Sequence, residues 1–133
     1  MKKVIVSILT LCMCLSLCCP AFASSPAKSP MWVNILSMSS QIVFDGTDGE
    51  AFASVKGKSG TTAISGTLTV YRQSGSNWVY VDSVSGTSST LKLDIHLDFT
   101  GISGAYYKAV FEVVVTRNGI DEPETKTSYE TCP

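Results

Sequence analysis

The sequence predicts an all-β protein, a seven-stranded antiparallel β-sandwich, on three observations. Apolar and polar residues alternate over several segments, which is the period of a strand with one buried face. Clusters of Gly, Asn, Asp and Ser separate these segments at intervals of roughly 8 to 12 residues, as expected of the turns of a sandwich. No segment beyond residue 31 carries apolar residues at helical spacing.

Each predicted strand combines β-branched or aromatic residues with turn residues at its ends. The strands are predicted at residues 32–44, 50–56, 62–72, 78–84, 90–99, 105–116 and 120–131. The fifth shows the clearest alternation, since its odd-numbered positions are apolar and its even-numbered positions from 92 to 98 are charged or histidine. A helix cannot separate these two sets, whereas a half-buried strand does.

The sixth strand is the most apolar one and is expected near the centre of the fold. Its predicted core face consists of Tyr107, Ala109, Phe111, Val113 and Val115. Its other face consists of Tyr106, Lys108, Val110, Glu112 and Val114. That second face is more apolar than a solvated surface requires. The strand ends at Asn118-Gly119, which predicts a two-residue hairpin because both positions tolerate positive φ.

The seventh and fourth strands give different signals. The seventh contains Pro123, which cannot donate to a ladder and therefore predicts an edge strand. Charged neighbours of that proline would discourage pairing with another chain. In the fourth strand the register stays open, because either Val79 and Val81 or Trp78 and Tyr80 could face the core.

With a hairpin between the third and fourth strands, the layout resembles a fibronectin type III or related immunoglobulin-like domain. Tyr107 lies near the start of the sixth strand, where such domains place a tyrosine-corner residue. Two residues later, where an antibody domain has a cysteine, this chain has Ala109, and the second strand offers Ala53. The missing cysteines favour the fibronectin-like branch.

Three short motifs also make the chain resemble a group of small secreted proteins from Gram-positive bacteria. They are Gly75-Ser76-Asn77-Trp78, Gly104-Ala105-Tyr106-Tyr107, and Asn118-Gly119 followed by Glu124-Thr125. The resemblance spans most of the chain beyond the N-terminal segment. It implies export and a β-sandwich fold, and it implies no established activity.

The first 23 residues have the composition of a secretory signal peptide. Lys2 and Lys3 precede an apolar run over residues 4–17, and an A-x-A signal ends at Ala23. We expect cleavage after Ala23, a mobile linker at residues 24–31 and a sandwich domain at residues 32–133. The protein is therefore expected to be secreted into the surroundings. A retained N-terminal anchor and a lipoprotein modified at Cys18 are the alternatives.

The expected cleavage determines which cysteines the exported chain keeps. Four of the five cysteines precede residue 23, so the exported chain keeps only Cys132 and can form no internal disulfide. We expect a monomer, with a Cys132-linked dimer as the alternative, because the residue lies next to the C-terminus.

Composition excludes several classes of partner. The net charge is −1 and no run of basic residues occurs, which argues against nucleic acid and, after signal cleavage, against a membrane. Neither a cofactor nor a metal site is predicted. The acidic turn at residues 45–50 lacks the spacing of a calcium loop, and one histidine with one exported thiol is too few for a typical zinc site.

The sequence also predicts that the protein is not an enzyme. His96, the sole histidine, lies between Asp94 and Asp98 on the polar face of a strand, which indicates a solvated surface. No serine stands in a Gly-x-Ser-x-Gly context.

Aromatic residues give the functional hypothesis. If the third, fourth and sixth strands share a sheet, its outer face presents Tyr71, Trp78, Tyr80 and Tyr106. Such a surface would bind a glycan, a peptide or a protein partner. The alternative is a self-associating structural protein of the cell envelope.

Overall fold

The chain from residue 31 to residue 133 runs through seven strands in this computed structural model, which describes these residues alone. The predicted signal peptide and all but the last residue of the predicted linker lie outside the described residues. The strands are β1 (Ile35–Asp45), β2 (Asp48–Gly57), β3 (Thr61–Ser74), β4 (Asn77–Ser88), β5 (Lys92–Thr100), β6 (Tyr106–Arg117) and β7 (Ile120–Thr131).

The strands form two antiparallel sheets, so the predicted sandwich is confirmed. One sheet has the order β1-β2-β5, and the other has the order β4-β3-β6-β7. β7 is an edge strand, as Pro123 predicts, and this proline lies opposite Val114 of β6. Residues 31–133 contain no helix that could span a membrane.

The core lies between the two sheets and is built by the predicted alternation. The entire predicted core face of β6 is buried, and so are Leu93, Ile95 and Leu97 of β5. In β2 the inward residues are small, namely Ala51, Ala53 and Val55, and all three are buried. Small side chains there allow the two sheets to approach closely.

Three aromatic rings close one end of the core. The ring centres of Phe44, Phe99 and Tyr107 lie 5.3 to 5.6 Å from one another. Two glycines make room for them: a Cβ at Gly49 would lie 2.6 Å from the Phe99 ring, and one at Gly101 would lie 2.7 Å from the Phe44 ring. A side chain at either glycine would therefore displace a core ring.

Tyr107 makes the contact of a tyrosine corner. Its hydroxyl oxygen accepts a 2.8 Å hydrogen bond from the backbone N–H of Ile102, five residues upstream, in the connection between β5 and β6. The hydroxyl therefore ties that connection to the buried start of β6. At the other end of β6, Asn118 and Gly119 have φ of 53° and 74°, which confirms the predicted hairpin turn.

The segment before β1 is fixed to β7 by Glu122. Its carboxylate accepts hydrogen bonds from the backbone N–H groups of Val33, Asn34 and Ile35, at 2.7, 2.6 and 2.9 Å. The side chain of Asn34 is buried and donates to the backbone oxygens of Val115 and Ile120. Residues from opposite ends of the described chain thus close one side of the sandwich.

Candidate functional site

The outer face of the β4-β3-β6-β7 sheet carries a group of aromatic rings. We call it the aromatic cluster, and it consists of Tyr71, Trp78, Tyr80, Tyr106, Tyr129 and, among them, Lys108. Register explains the grouping, because Tyr80, Tyr71, Lys108 and Tyr129 are directly opposed across the four strands. All four aromatic residues that the sequence singled out lie in it.

Three rings form one half of the aromatic cluster. Tyr106 and Tyr129 are stacked, with 5.8 Å between ring centres and 13° between ring planes. Trp78 lies 6.0 Å from Tyr106 and 6.1 Å from Tyr129. The tyrosines are 37% and 52% exposed, whereas Trp78 is half-buried. The ring faces are therefore mutually supported but still open to solvent.

Tyr71 and Tyr80 form the other half. Their rings meet edge to face at 6.4 Å, and Tyr80 is the most exposed ring of the cluster at 57%. The Lys108 ammonium joins the halves, since its Nζ lies 5.1 Å from the Tyr71 ring centre and 4.6 Å from the Trp78 ring centre. Both distances are those of cation–π contacts.

A bulge in β4 settles the open register of that strand. Tyr71 pairs with Tyr80, but Val70 pairs with Asp82, so Val81 is the extra residue. On the turn side of the bulge, Trp78 and Tyr80 face outward with Tyr71, while Val81 packs against the core. Of the two alternatives, the one with Val79 and Val81 facing the core therefore holds for Val81. Val79 remains 42% exposed.

Tyr129 is the ring that sequence reasoning missed. The predicted two-residue turn was enough to find it. Arg117 pairs with Ile120 across that turn, and counting back along both strands from this pair places Tyr129 opposite Lys108. Lys108 was placed on the correct face, but its position over two rings depends on the lateral order of β3, β6 and β4.

Beside the aromatic cluster, the same sheet face forms a shallow hollow of about 670 Å³. We call it the hydroxyl hollow, and its outward side chains are the polar Ser65, Thr67, Ser85, Thr87, Glu112 and Thr125 and the apolar Val114 and Pro123. Thr67 and Ser85 hydroxyls lie 2.8 Å apart across neighbouring strands. The sheet face therefore passes from aromatic rings to a surface that mixes hydroxyls and one carboxylate with the apolar Val114 and Pro123.

The opposite face of the sandwich holds the histidine. His96 Nε2 lies 2.9 Å from a carboxylate oxygen of Asp98, and its ring stacks on Phe52 with 5.0 Å between centres. Asp94 lies apart from this pair. Hydrogen bonds from the Lys92 and Ser54 side chains lower the pKa of Asp94.

Cys132 lies in a buried, hydrogen-bonded position even though it is next to the C-terminus. The residue is fully buried, its backbone N–H donates to Ala105, and its backbone oxygen accepts from Gly104. Its Sγ lies 3.6 Å from the backbone oxygen of Gly46. An intermolecular disulfide would require these contacts to open, and the Cys132-linked dimer stays an untested prediction.

Solved structures include chains that are similar to this one. No family model and no curated protein matches the chain. Among solved structures, the chain is similar to Spo0M, a sporulation control protein from Bacillus subtilis, with a TM-score of 0.37 and 14% sequence identity. That match covers 69% of this chain and 47% of the Spo0M chain, so the chain spans about half of that protein's length. The class that the structure itself defines is an all-β sandwich.

Proposed function

We propose that the protein is a secreted, non-enzymatic glycan-binding module that recognises its ligand on the outer face of the β4-β3-β6-β7 sheet. The observation that carries this proposal is the aromatic cluster, whose rings are brought from four strands onto one solvent-exposed face. Aromatic faces bind the apolar C–H faces of sugar rings, and they do so at low entropic cost because tyrosine and tryptophan have few rotatable bonds.

The hydroxyl hollow adds hydrogen-bonding groups to the apolar surface, because Ser65, Thr67 and Ser85 lie there beside Val114 and Pro123. A sugar presents hydroxyl groups at its edges, and the hollow offers donors and acceptors from Ser65, Thr67 and Ser85 next to the rings. The ligand that fits both parts is therefore amphipathic and extended, with flat faces and polar edges. A polysaccharide chain has this chemistry.

Charge favours a neutral glycan. The one cation within the cluster, Lys108, is already held over two aromatic rings. Glu112 places a carboxylate in the adjoining hollow, which would repel an anionic polymer. These features support the exclusion of nucleic acid and of anionic membrane surfaces as partners.

The finer fold assignment belongs to the same proposal. We infer a fibronectin type III-like domain of the small secreted Gram-positive type that the sequence resembles. Its supports are the grouping of β1, β2 and β5 against β4, β3, β6 and β7, the tyrosine corner at Tyr107, and the signal-peptide pattern of residues 1–23.

The proposal is tested by screening the purified protein against neutral and charged polysaccharides and measuring affinity for each one that binds. We expect Trp78→Ala and Tyr129→Ala each to weaken binding by about two- to twelvefold, the equivalent of roughly 0.5–1.5 kcal/mol per ring contact. Phe52→Ala is the matched control, because Phe52 is a half-exposed ring on the opposite sheet. Equal binding by all variants, or binding to peptides but to no polysaccharide, would contradict the proposal.

A second candidate is the self-associating envelope protein, and the edge strand β4 favours it. β4 has no lysine or proline along its 12 residues, and Asp82 is its one charged side chain. Such an edge has few of the features that normally prevent pairing with another chain. Sedimentation without ligand tests it: association that rises with concentration and disappears in Val79→Lys would support this candidate over glycan binding.

A further inference from the structure

Three metal-ligating side chains converge on the outer face of the β1-β2-β5 sheet. Glu50 and Asp98 are directly opposed across β2 and β5, and His96 lies two residues from Asp98 on the same face. One ligand atom from each of the three lies within 4.8 Å of the other two. We propose that Glu50, His96 and Asp98 bind a zinc ion.

The donor set points to zinc. Calcium and magnesium take oxygen ligands, whereas an imidazole nitrogen beside two carboxylate oxygens suits zinc and its transition-metal neighbours. Three protein ligands leave a fourth position for water in tetrahedral coordination. All three residues are exposed, so the ion has direct access from solvent.

The His96–Asp98 pair needs little adjustment to bind zinc, and the Glu50 carboxylate lies within 4.8 Å of both ligand atoms. Zinc–nitrogen and zinc–oxygen bonds of about 2.0–2.2 Å at tetrahedral angles separate two ligand atoms by about 3.3–3.6 Å. His96 Nε2 and the Asp98 carboxylate oxygen are now 2.9 Å apart. An ion replacing the hydrogen-bonded proton between them would widen this gap by a few tenths of an ångström. Phe52, stacked on the imidazole at 5.0 Å, holds the ring plane in place.

The pairing of β2 with β5 places two carboxylates opposite each other, and a bound cation would account for this arrangement. Like charges placed directly opposite each other on antiparallel strands are destabilising, and Glu50 opposes Asp98 in this way. Within residues 31–133, no lysine or arginine lies within ion-pair distance of either carboxylate, and Lys92 pairs with Asp94 instead. A bound divalent ion would remove the repulsion.

This site shares only Glu50 with the acidic turn at residues 45–50. Of the carboxylates at residues 45–50, Glu50 is the one that joins the histidine, because the register of β2 with β5 places it opposite position 98. The sequence-based expectation of no metal site treated the turn and the histidine separately. The site also lies on the sheet opposite the proposed glycan surface, so the zinc proposal does not depend on the glycan proposal.

Zinc titration followed by NMR of the imidazole tests the proposal. The chain contains a single histidine, so its ring nitrogen signals report on this site alone, whatever zinc the four N-terminal cysteines take up. We expect the ring signals to shift and to saturate at one zinc at this site. Glu50→Gln and Asp98→Asn should weaken the titration by about tenfold or more, since loss of an outer-shell partner alone costs that much.

Asp94→Asn is the matched control, because it removes a neighbouring carboxylate of the same strand face that does not belong to the group. It should titrate like the unmodified chain. Zinc should also raise the melting temperature of the unmodified chain and of Asp94→Asn more than that of Glu50→Gln. No ring shift at millimolar zinc would overturn the proposal. So would equal titration of Glu50→Gln and Asp98→Asn with the unmodified chain, or tighter binding of calcium than of zinc.

Discussion

The Nζ of Lys108 lies 4.6 Å from the centre of the Trp78 ring, two strands away in the sheet. Because Lys108 pairs with Tyr71 on one side and with Tyr129 on the other, its ammonium stands at the middle of the aromatic cluster. This lysine therefore links the Tyr71–Tyr80 pair to the half of the cluster that contains Trp78, Tyr106 and Tyr129. Its charge is directed at aromatic faces.

We predict that Lys108→Met lowers the free energy of unfolding by about 0.5–1 kcal/mol, through loss of the cation–π contacts. Methionine keeps most of the apolar stem, so the change isolates the charge. Urea denaturation at constant pH measures it. Lys126→Met, an exposed lysine of β7, is the control and should change stability little. An equal loss of stability in both variants would mean that the removed positive charge, and not the cation–π contacts, causes the loss.

Tyr107→Phe should destabilise the fold by about 1–2 kcal/mol. The ring stays in the core, but the backbone N–H of Ile102 loses its acceptor in a part-buried position. Thermal or urea unfolding gives the value. Tyr106→Phe is the adjacent control, since that ring faces outward and should show almost no loss of stability. Unchanged stability in Tyr107→Phe would mean that water replaces the hydroxyl without cost.

Much of this fold follows from local pattern. The alternation at positions 93, 95 and 97 defines the buried face of β5, and the Asn118-Gly119 pair defines both a turn and the register of β6 with β7. These signals need only neighbouring residues. Pro123 identifies an edge strand for the same reason, since its missing N–H restricts where the strand can lie.

The two candidate sites were only partly predictable, because they depend on contacts between distant strands. The bulge at Val81 decides which way Trp78 faces, and no residue type marks it in the sequence. Glu50 meets His96 only through the β2–β5 register, across 46 residues of chain. The burial of Cys132 likewise depends on its contact with Gly46, which lies far away in the sequence.

Glu122 predicts a dependence of stability on pH. Its burial opposes ionisation, but the backbone N–H groups of Val33, Asn34 and Ile35 outweigh that effect, so the pKa of Glu122 is lowered below its ordinary value of about 4.3. A lowered folded-state pKa means that the carboxylate stabilises the fold at pH above the ordinary value. This contribution is lost as the pH falls through the lower, folded-state pKa.

Glu122→Gln should therefore cost about 1–3 kcal/mol at neutral pH, because an amide cannot accept all three hydrogen bonds. The difference from the unmodified chain should shrink as the pH is lowered through the folded-state pKa of Glu122. Urea denaturation over a series of pH values measures it. Glu124→Gln, two residues along β7, removes a carboxylate for which the described residues show no backbone hydrogen bond, and its effect should not vary in this way. A pH-independent cost of Glu122→Gln would contradict the prediction.

Cys132 should be unreactive in the folded protein, because its thiol is fully buried beside the backbone of Gly46 and Gly101. We expect iodoacetamide to label it only at the rate at which the fold opens, with the labelled peptide identified by mass spectrometry to separate it from the N-terminal cysteines. Labelling should accelerate in Tyr107→Phe, which loosens the adjoining connection. Rapid labelling of the unmodified chain would contradict the prediction. So would a Cys132-linked dimer on a non-reducing gel without prior denaturation. Either result would show that the chain after β7 opens readily enough for Cys132 to react.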